Sequence, residues 1–530
     1  MLAVRRVGLA VALVAPVTLP AQGANPSIKV GPPRGTVIVV GGGSMGPELY
    51  SKFIQAAGGP DALIIDVPTA GGDSVYTQEA PGTRGWKLAG AKNIYVLHTK
   101  DRKLADADSF AALVSKAGGV WFEGGRQFHL VNSYGGTKTE QAFHDVLARG
   151  GVVGGSSAGA SILGSFLVRG EPSNNNFIMD SPQYEKGFGF LRNVGIDQHV
   201  VARERLADLA DSIMPKYPEL LAISEDEGTA WVVTGDTATI VGRNKAFVYG
   251  GKDATDPGAP FLTLHPGDTY NLATRHVIRH ASDGAPVNTA FVDDLFKKYT
   301  NAAAGGATVL VAQNGSVLVN KSYGIPAQPK YMPTTTVPQF DVGAGITAVF
   351  TSLCSQIPEP PARGNAGADS AGGGAGRGGV APAGRAGGRA GGGGAGGGGR
   401  GAANTGTPLQ NCVQRRISTP IGMHKTAATA DGNVESSVDE LYRLSLGLEN
   451  PRTYGGNGAN AVTVDYAKGW QTDTYHGAAR LTAYGASGGK RTAFVRIPDR
   501  HATIIILTND DSADAKLIAD KITDRLVTAK

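Results

Sequence analysis

Along the first half of the chain, short runs of consecutive apolar residues alternate with stretches whose apolar positions recur every three or four residues. The runs are Thr36 to Val40, Ala62 to Val67 (stopped by Pro68), Ile94 to His98, Val120 to Phe122 and the pair Val152-Val153. Continuous apolar runs of this length predict strands buried on both faces. Between them, Glu48 to Ile54, Asp106 to Lys116 and Thr139 to Arg149 carry the helical spacing. Strands and helices in this alternation imply an α/β fold with a parallel sheet flanked by helices. Ligands of such sheets bind at the carboxyl ends of the strands, where the glycine-rich turns at 124–125 and 154–159 would emerge. Further on come Ile196 to His199, a strand ending in a histidine, and Arg203 to Leu206, expected on a helix. Thr229 to Val233, Thr237 to Gly242 and Ala246 to Tyr249 predict a β-rich close. From Gly306 the pattern changes: Thr308 to Val319 reads as a hairpin around Asn314-Gly315, and Ala502 to Thr508 as a last strand before a helix. Two modules are therefore expected, 30–295 and 303–530.

The turn after Val152-Val153 carries the chemistry. Gly155-x-Ser157-x-Gly159 fits a nucleophile elbow, in which small neighbours permit a strained turn that projects a hydroxyl, so Ser157 is the candidate nucleophile. The apolar positions Ile162, Leu163, Phe166 and Leu167 predict a helix behind it, with its N–H groups and dipole aimed at a developing oxyanion. Gly41-Gly42-Gly43 follows the first strand, but G-x-G-x-x-G fits only loosely through Gly41, Gly43 and Gly46, and no suitably placed acid follows the next strand. Neither a cofactor nor a metal is expected.

Composition changes this picture at three places. Arg5-Arg6 precede an apolar stretch from Val7 to Leu19 and the small residues Ala21, Gly23 and Ala24, the layout of a signal peptide over 1–24. The stretch is short for a membrane span, so a secreted or periplasmic protein is expected. The net charge of +5 falls to −1 once the two leader arginines and the net four positive charges of residues 361–403 are removed, so no nucleic-acid face is expected. Residues 361–403 are Gly/Arg-rich and cannot bury a core, so they are expected to be a disordered insertion. Cys354 and Cys412 bracket that insertion and are a candidate disulfide, with free thiols the alternative.

Taken together, Gly41-Gly42-Gly43, Val67-Pro68-Thr69-Ala70, Gly124-Gly125-Arg126-Gln127, Gly155 to Ala160, and Asp197-Gln198-His199 with Arg203 and Arg205 resemble the cyanophycinases and aspartyl dipeptidases. These are serine peptidases on a class I glutamine amidotransferase-like fold, and the resemblance covers roughly residues 35–290. It implies Ser157 as nucleophile and His199 as general base, consistent with the need of a serine hydroxyl for an imidazole that takes its proton. The family pattern places an acid between the two; Glu171 is the nearest carboxylate, with Asp180 next. The oxyanion hole would combine the N–H of Ala158 with one from Gly124 or Gly125. Gln127, Asp197, Gln198, Arg203 and Arg205 match the substrate-binding stretches, with Asp208 standing where the family's third arginine would be. The interval from serine to histidine is too short for an ordinary α/β-hydrolase.

The second half resembles the serine β-lactamase and penicillin-binding-protein group in its first hairpin, Lys321-Ser322-Tyr323-Gly324, Pro420 to Met423 and its final strand and helix. That group needs S-x-x-K, and alignment on Phe340 leaves Ala344 and Thr347 in those places. The late motif is absent near Tyr484 to Gly489, so a degenerate, non-catalytic α+β module is expected. The whole predicts an exported serine peptidase or isopeptidase acting on peptides with an aspartyl, β-aspartyl or other acidic residue. The alternative is a non-catalytic two-domain protein that binds peptide or cell-wall ligands; oligomeric state stays open, a dimer included.

Overall fold

Alternate residues of the first apolar run enter opposite cores. Val37 and Val39 join Ile65, Val67, Val120 and Phe122 on one face, whereas Ile38 and Val40 join Ile64, Trp121 and Val152 on the other. That two-sided burial is what a parallel sheet requires. The computed structural model describes residues 29–172, 181, 183–300, 306–324, 339–359, 406–450 and 464–528. The leader at 1–24, Asp180 and the insertion at 361–403 lie outside the described residues.

Strands β1 (Thr36–Val40), β2 (Leu63–Val67), β3 (Asn93–Val96), β4 (Gly119–Phe122) and β5 (Val152–Ser156) are parallel in spatial order β1-β5-β4-β2-β3. The helix Pro47–Ala56 covers one face through Leu49, Phe53 and Ile54, and Lys138–Ala148 the other through Phe143, Val146 and Leu147. A second sheet holds β6 (Gly164–Phe166), β7 (Leu191–Gln198) and β8 (Leu221–Glu225) in parallel. The chain then returns to the first sheet as β9 (Thr229–Thr234), antiparallel to β1, and β10 (Thr237–Gly242). Next, β11 (Ala246–Tyr249) and β12 (Leu262–Leu264) extend the second sheet, while β13 (Thr269–Asn271) and β14 (His276–Arg279) complete a nine-stranded first sheet. The sheet is thus mixed, a parallel block with an antiparallel edge.

The later module is antiparallel. A hairpin of β15 (Ala307–Gln313) and β16 (Ser316–Tyr323) turns at Asn314 and Gly315, with φ of 52° and 75°, the left-handed pair that such a tight turn needs. A small sheet joins β17 (Phe340–Asp341), β18 (Ala427–Ala428) and β19 (Val434–Ser436). Adding β20 (Gln471–Tyr475), β21 (Ala478–Ser487), β22 (Lys490–Ile497) and β23 (Ala502–Thr508) gives a six-stranded sheet in the order β16-β15-β23-β22-β21-β20. Helices Gly343–Gln356 and Val438–Glu449 share a core with Leu310, Phe494 and Ile505 of this sheet. On the other face, Ala515–Thr528 packs on Val309, Ile504 and Ile506 together with Val292, Phe296 and Tyr299, so the segment leaving the first module is built into the second core. A disulfide joins Cys354 and Cys412 across the insertion, Cα to Cα 5.9 Å. Among the described residues no helix is long and apolar enough to cross a membrane.

Candidate active site

Strand β5 ends in a turn that only small residues can build. A Cβ placed at Gly155 would lie 2.1 Å from the Gly159 carbonyl oxygen, and one at Gly159 would lie 2.0 Å from that of Phe122. Ser157 sits between them at φ 58° and ψ −118°, outside the regions open to ordinary side chains, at a cost on the order of 1–3 kcal/mol. Its N–H is held by the Val40 carbonyl of β1 at 3.0 Å. The helix behind it, Ala158–Ser161, is a single turn before β6 begins, shorter than its apolar spacing predicts. A helix this short offers an anion individual N–H groups rather than a macrodipole. The N–H of Ala158, first in that turn, has no intrahelical acceptor. Gly124 runs alongside, since a Cβ there would be 3.3 Å from that of Ser157, and Gly125 lies against Ala70, whose carbonyl oxygen would be 2.1 Å from an added Cβ.

His199 follows β7 at φ 56°, with its N–H on the Gly41 carbonyl at 3.0 Å. The Ser157 hydroxyl lies 2.8 Å from His199 Nε2 and donates to it when the imidazole is neutral. On the other side, Nδ1 donates to Glu227 Oε1 at 2.6 Å. The three glycines after β1 now have a physical reason: a Cβ at Gly42 would be 2.1 Å from His199 Cε1, and one at Gly43 would be 2.7 Å from Glu227 Oε2. They admit the backbone to within contact of the imidazole and its carboxylate.

Glu227 replaces Glu171 as the acid on the histidine. Glu171 follows β6, where its carbonyl accepts from Arg126 Nη2 at 3.1 Å, whereas the turn joining β8 to β9 delivers Glu227 directly beneath the ring. The acid therefore comes after the histidine in the chain, not before it. The cue was Glu225-Asp226-Glu227-Gly228, three acids before a turn glycine on the strand next to β7. Burial separates their roles. Glu225 is wholly buried with neither oxygen hydrogen-bonded among the described residues, and burial, then Asp197, raises it well above the ordinary carboxylate range. Asp226 Oδ1 accepts the N–H groups of Val201 and Ala202 at 3.1 and 2.9 Å and so ties down the loop after His199. For Glu227 burial opposes ionisation, but hydrogen bonds from His199 and His424 and the charges of both rings hold it well below the usual carboxylate range.

The expected substrate residues divide. Asp197 is fully buried and takes a two-pronged bond from Arg169 at 2.7 and 2.7 Å, with Asp208 on the same guanidinium at 2.6 Å, so it is spent on structure. Gln127, also buried, turns its amide toward Ser161 Oγ at 3.4 Å and the Val168 carbonyl at 3.5 Å, bracing the turn rather than facing solvent. Gln198 is buried beside them, its N–H on Asp197 Oδ1 at 2.9 Å and its Oε1 without a partner among the described residues. Arg203 is exposed and Arg205 half-buried, on tight turns instead of the expected helix, because His199 and Glu204 both take positive φ, 56° and 55°. Arg205 Nη1 is buried with no hydrogen-bond partner among the described residues, and burial together with Arg169 pushes the guanidinium down to about 10.

A profile of peptidase family S51 matches residues 37–241, from β1 into β10. The cyanophycinase of Geminocystis herdmanii is 31% identical over 260 residues, which cover 95% of that protein and 46% of this chain. The chain belongs to peptidase family S51. Like other S51 peptidases it is a serine-type hydrolase, and its peptidase half is also 29% identical over 280 residues to the cyanophycinase of Synechococcus elongatus, covering 84% of that protein and 48% of this chain. A β-lactamase/D-alanine carboxypeptidase from Yersinia pestis, solved with citrate, has 12% identity and a TM-score of 0.27 over 46% of this chain and all of its own. The S51 match stops short of the second module, which begins at β15.

Proposed function

We propose that this S51 peptidase is an exported enzyme that cleaves aspartyl or β-aspartyl peptide bonds through an acyl-enzyme on Ser157. The observation that carries the reading is the unbroken relay from Ser157 Oγ to His199 Nε2 at 2.8 Å and from Nδ1 to Glu227 at 2.6 Å, behind a strained elbow. As Oγ attacks the carbonyl carbon, its proton passes to Nε2, and Glu227 stabilises the imidazolium. The oxyanion accepts from the Ala158 N–H and from Gly124 or Gly125. The imidazolium then protonates the leaving amine, the C–N bond breaks, and a water activated by the same imidazole hydrolyses the ester to free Ser157.

The acidic substrate is supported by Arg203 and by the buried, unpartnered Nη1 of Arg205, since an unpaired guanidinium N–H favours a carboxylate partner. Export is supported by the leader's residue pattern and by the disulfide, which persists in oxidising compartments. Incubating the purified chain with matched α-aspartyl, β-aspartyl and alanyl dipeptides tests the reading. Amine release from the aspartyl substrates, lost in Arg205→Ala through a raised KM, is expected. Equal turnover of all three would refute acidic selectivity.

A further inference from the structure

The carboxylate that orients His199 is itself held from the second module. Glu227 Oε1 serves His199, and its other oxygen, Oε2, accepts from His424 Nε2 at 2.7 Å, 197 residues further along the chain. Around this contact the modules are stitched together. Arg443 Nη2, from the helix Val438–Glu449, lies 3.3 Å from the Glu227 carbonyl oxygen and 3.4 Å from Asp226 Oδ2, and its Nη1 donates to the carbonyl of Gly422, two residues before His424. Glu440 on the same helix accepts the N–H groups of His424 and Lys425 at 3.3 and 3.2 Å, fixing the backbone that presents the ring. Alongside, Asp439 takes Lys245 Nζ at 2.9 Å. None of these second-module groups falls within the S51 match at 37–241.

We propose that His424 is a positioning residue of the peptidase site, and that the second module, lacking S-x-x-K of its own, is a clamp that keeps Glu227 in plane with His199. The inference rests on the Ser157-His199-Glu227 relay being the catalytic one. The physical need is plain, because the carboxyl group of a glutamate rotates in a broad, nearly two-fold well unless both oxygens are engaged. His424 stands on the far side of the carboxylate from the imidazole of His199, so it acts through Glu227.

Charge makes the role measurable apart from stability. The groups facing His424 are Glu227, Arg443 and Glu440; those facing Glu227 are His199, His424 and Arg203. The hydrogen bond to Glu227 raises the proton affinity of His424, against its burial and Arg443. A protonated His424 shares the charge of Glu227 and so weakens the hold of that carboxylate on the His199 proton.

The test compares full-length wild type, His424→Ala, His424→Gln and Lys425→Ala on a β-aspartyl dipeptide, with Ser157→Ala as control. His424→Ala is expected to lower kcat about tenfold with KM within about twofold, as for a group that supports the relay and does not touch substrate. Its acid limb of kcat/KM should move up by roughly half a pH unit. His424→Gln, which keeps an N–H for Oε2 but no charge, should recover most of kcat and retain the shifted limb; Lys425→Ala should match wild type. If His424→Ala does not fold, the limb shift in His424→Gln carries the test. An unshifted limb and undiminished kcat in folded His424 variants, with Ser157→Ala inactive, would overturn the clamp alone. Activity surviving in Ser157→Ala would overturn the relay beneath it.

Discussion

The two modules put small residues at the start of a helix for opposite ends. In the first, Gly155 and Gly159 leave room for a strained serine whose hydroxyl meets an imidazole. In the second, Gly343 and Gly345 open the helix Gly343–Gln356, and a Cβ on Gly345 would lie 1.9 Å from the Tyr484 carbonyl oxygen of β21. Close approach there yields packing: Ala344 has no hydroxyl, and Thr347 Oγ1 is buried without a hydrogen-bond partner among the described residues. The first module thus sets its strained serine against an imidazole, and the second reaches the carboxylate behind that imidazole through His424.

The comparison breaks most sharply at the nucleophile. Ser157→Ala should lower kcat on a β-aspartyl dipeptide by roughly 10⁴-fold or more, whereas Ala344→Ser should change it by less than about twofold. A serine at 344 that restored turnover to the Ser157→Ala chain would erase the contrast.

Next in size is the acid. Glu227→Gln should cost on the order of 10³-fold in kcat, because an amide no longer favours the imidazolium, while Glu171→Gln should stay near wild type. A larger loss at Glu171 would return the acid to the segment between serine and histidine.

The third contrast is one of stability. The Cys354–Cys412 bridge closes a loop over a separation of 58 residues. Its removal by paired serine substitutions should destabilise the second module by about 4 kcal/mol in the chain-entropy limit. Calorimetry under reducing and oxidising conditions reads this directly, and equal melting in both would contradict it.

The smallest effect concerns Asp66, buried beside Glu123 at the strand ends of β2 and β4. Burial, then the neighbouring Glu123 carboxyl, raises Asp66 well above the ordinary carboxylate range. The folded chain therefore keeps a proton that the unfolded chain releases, so stability from this site is present in acid and declines as pH rises toward the folded value. Asp66→Asn should flatten the fall in Tm as pH rises above the ordinary carboxylate range. Parallel Tm curves for the two proteins would argue against the raised carboxyl.

The strands were legible because both faces are buried, and Ser157 because a G-x-S-x-G turn has so few sequence solutions. His199 was legible from the matching Asp197-Gln198-His199 stretch. Glu227 was not, since one carboxylate among three adjacent acids is singled out only by which strand end lies under the imidazole. Asp197 misleads for a related reason: its value to a substrate vanishes once Arg169 folds over it. The turns around Arg203 and Arg205 depend on left-handed residues at His199 and Glu204 that no periodicity signals. His424 is the extreme case, a contact across 197 residues between modules that have no shared pattern.

The most direct test is to expose wild type, His199→Ala and Glu227→Gln to a fluorophosphonate and locate the adduct by peptide mass spectrometry. Rapid phosphonylation of Ser157 is expected in wild type, slower labelling in Glu227→Gln and none in His199→Ala. A wild-type chain that stays unlabelled at Ser157, or labels equally fast without His199, would contradict it.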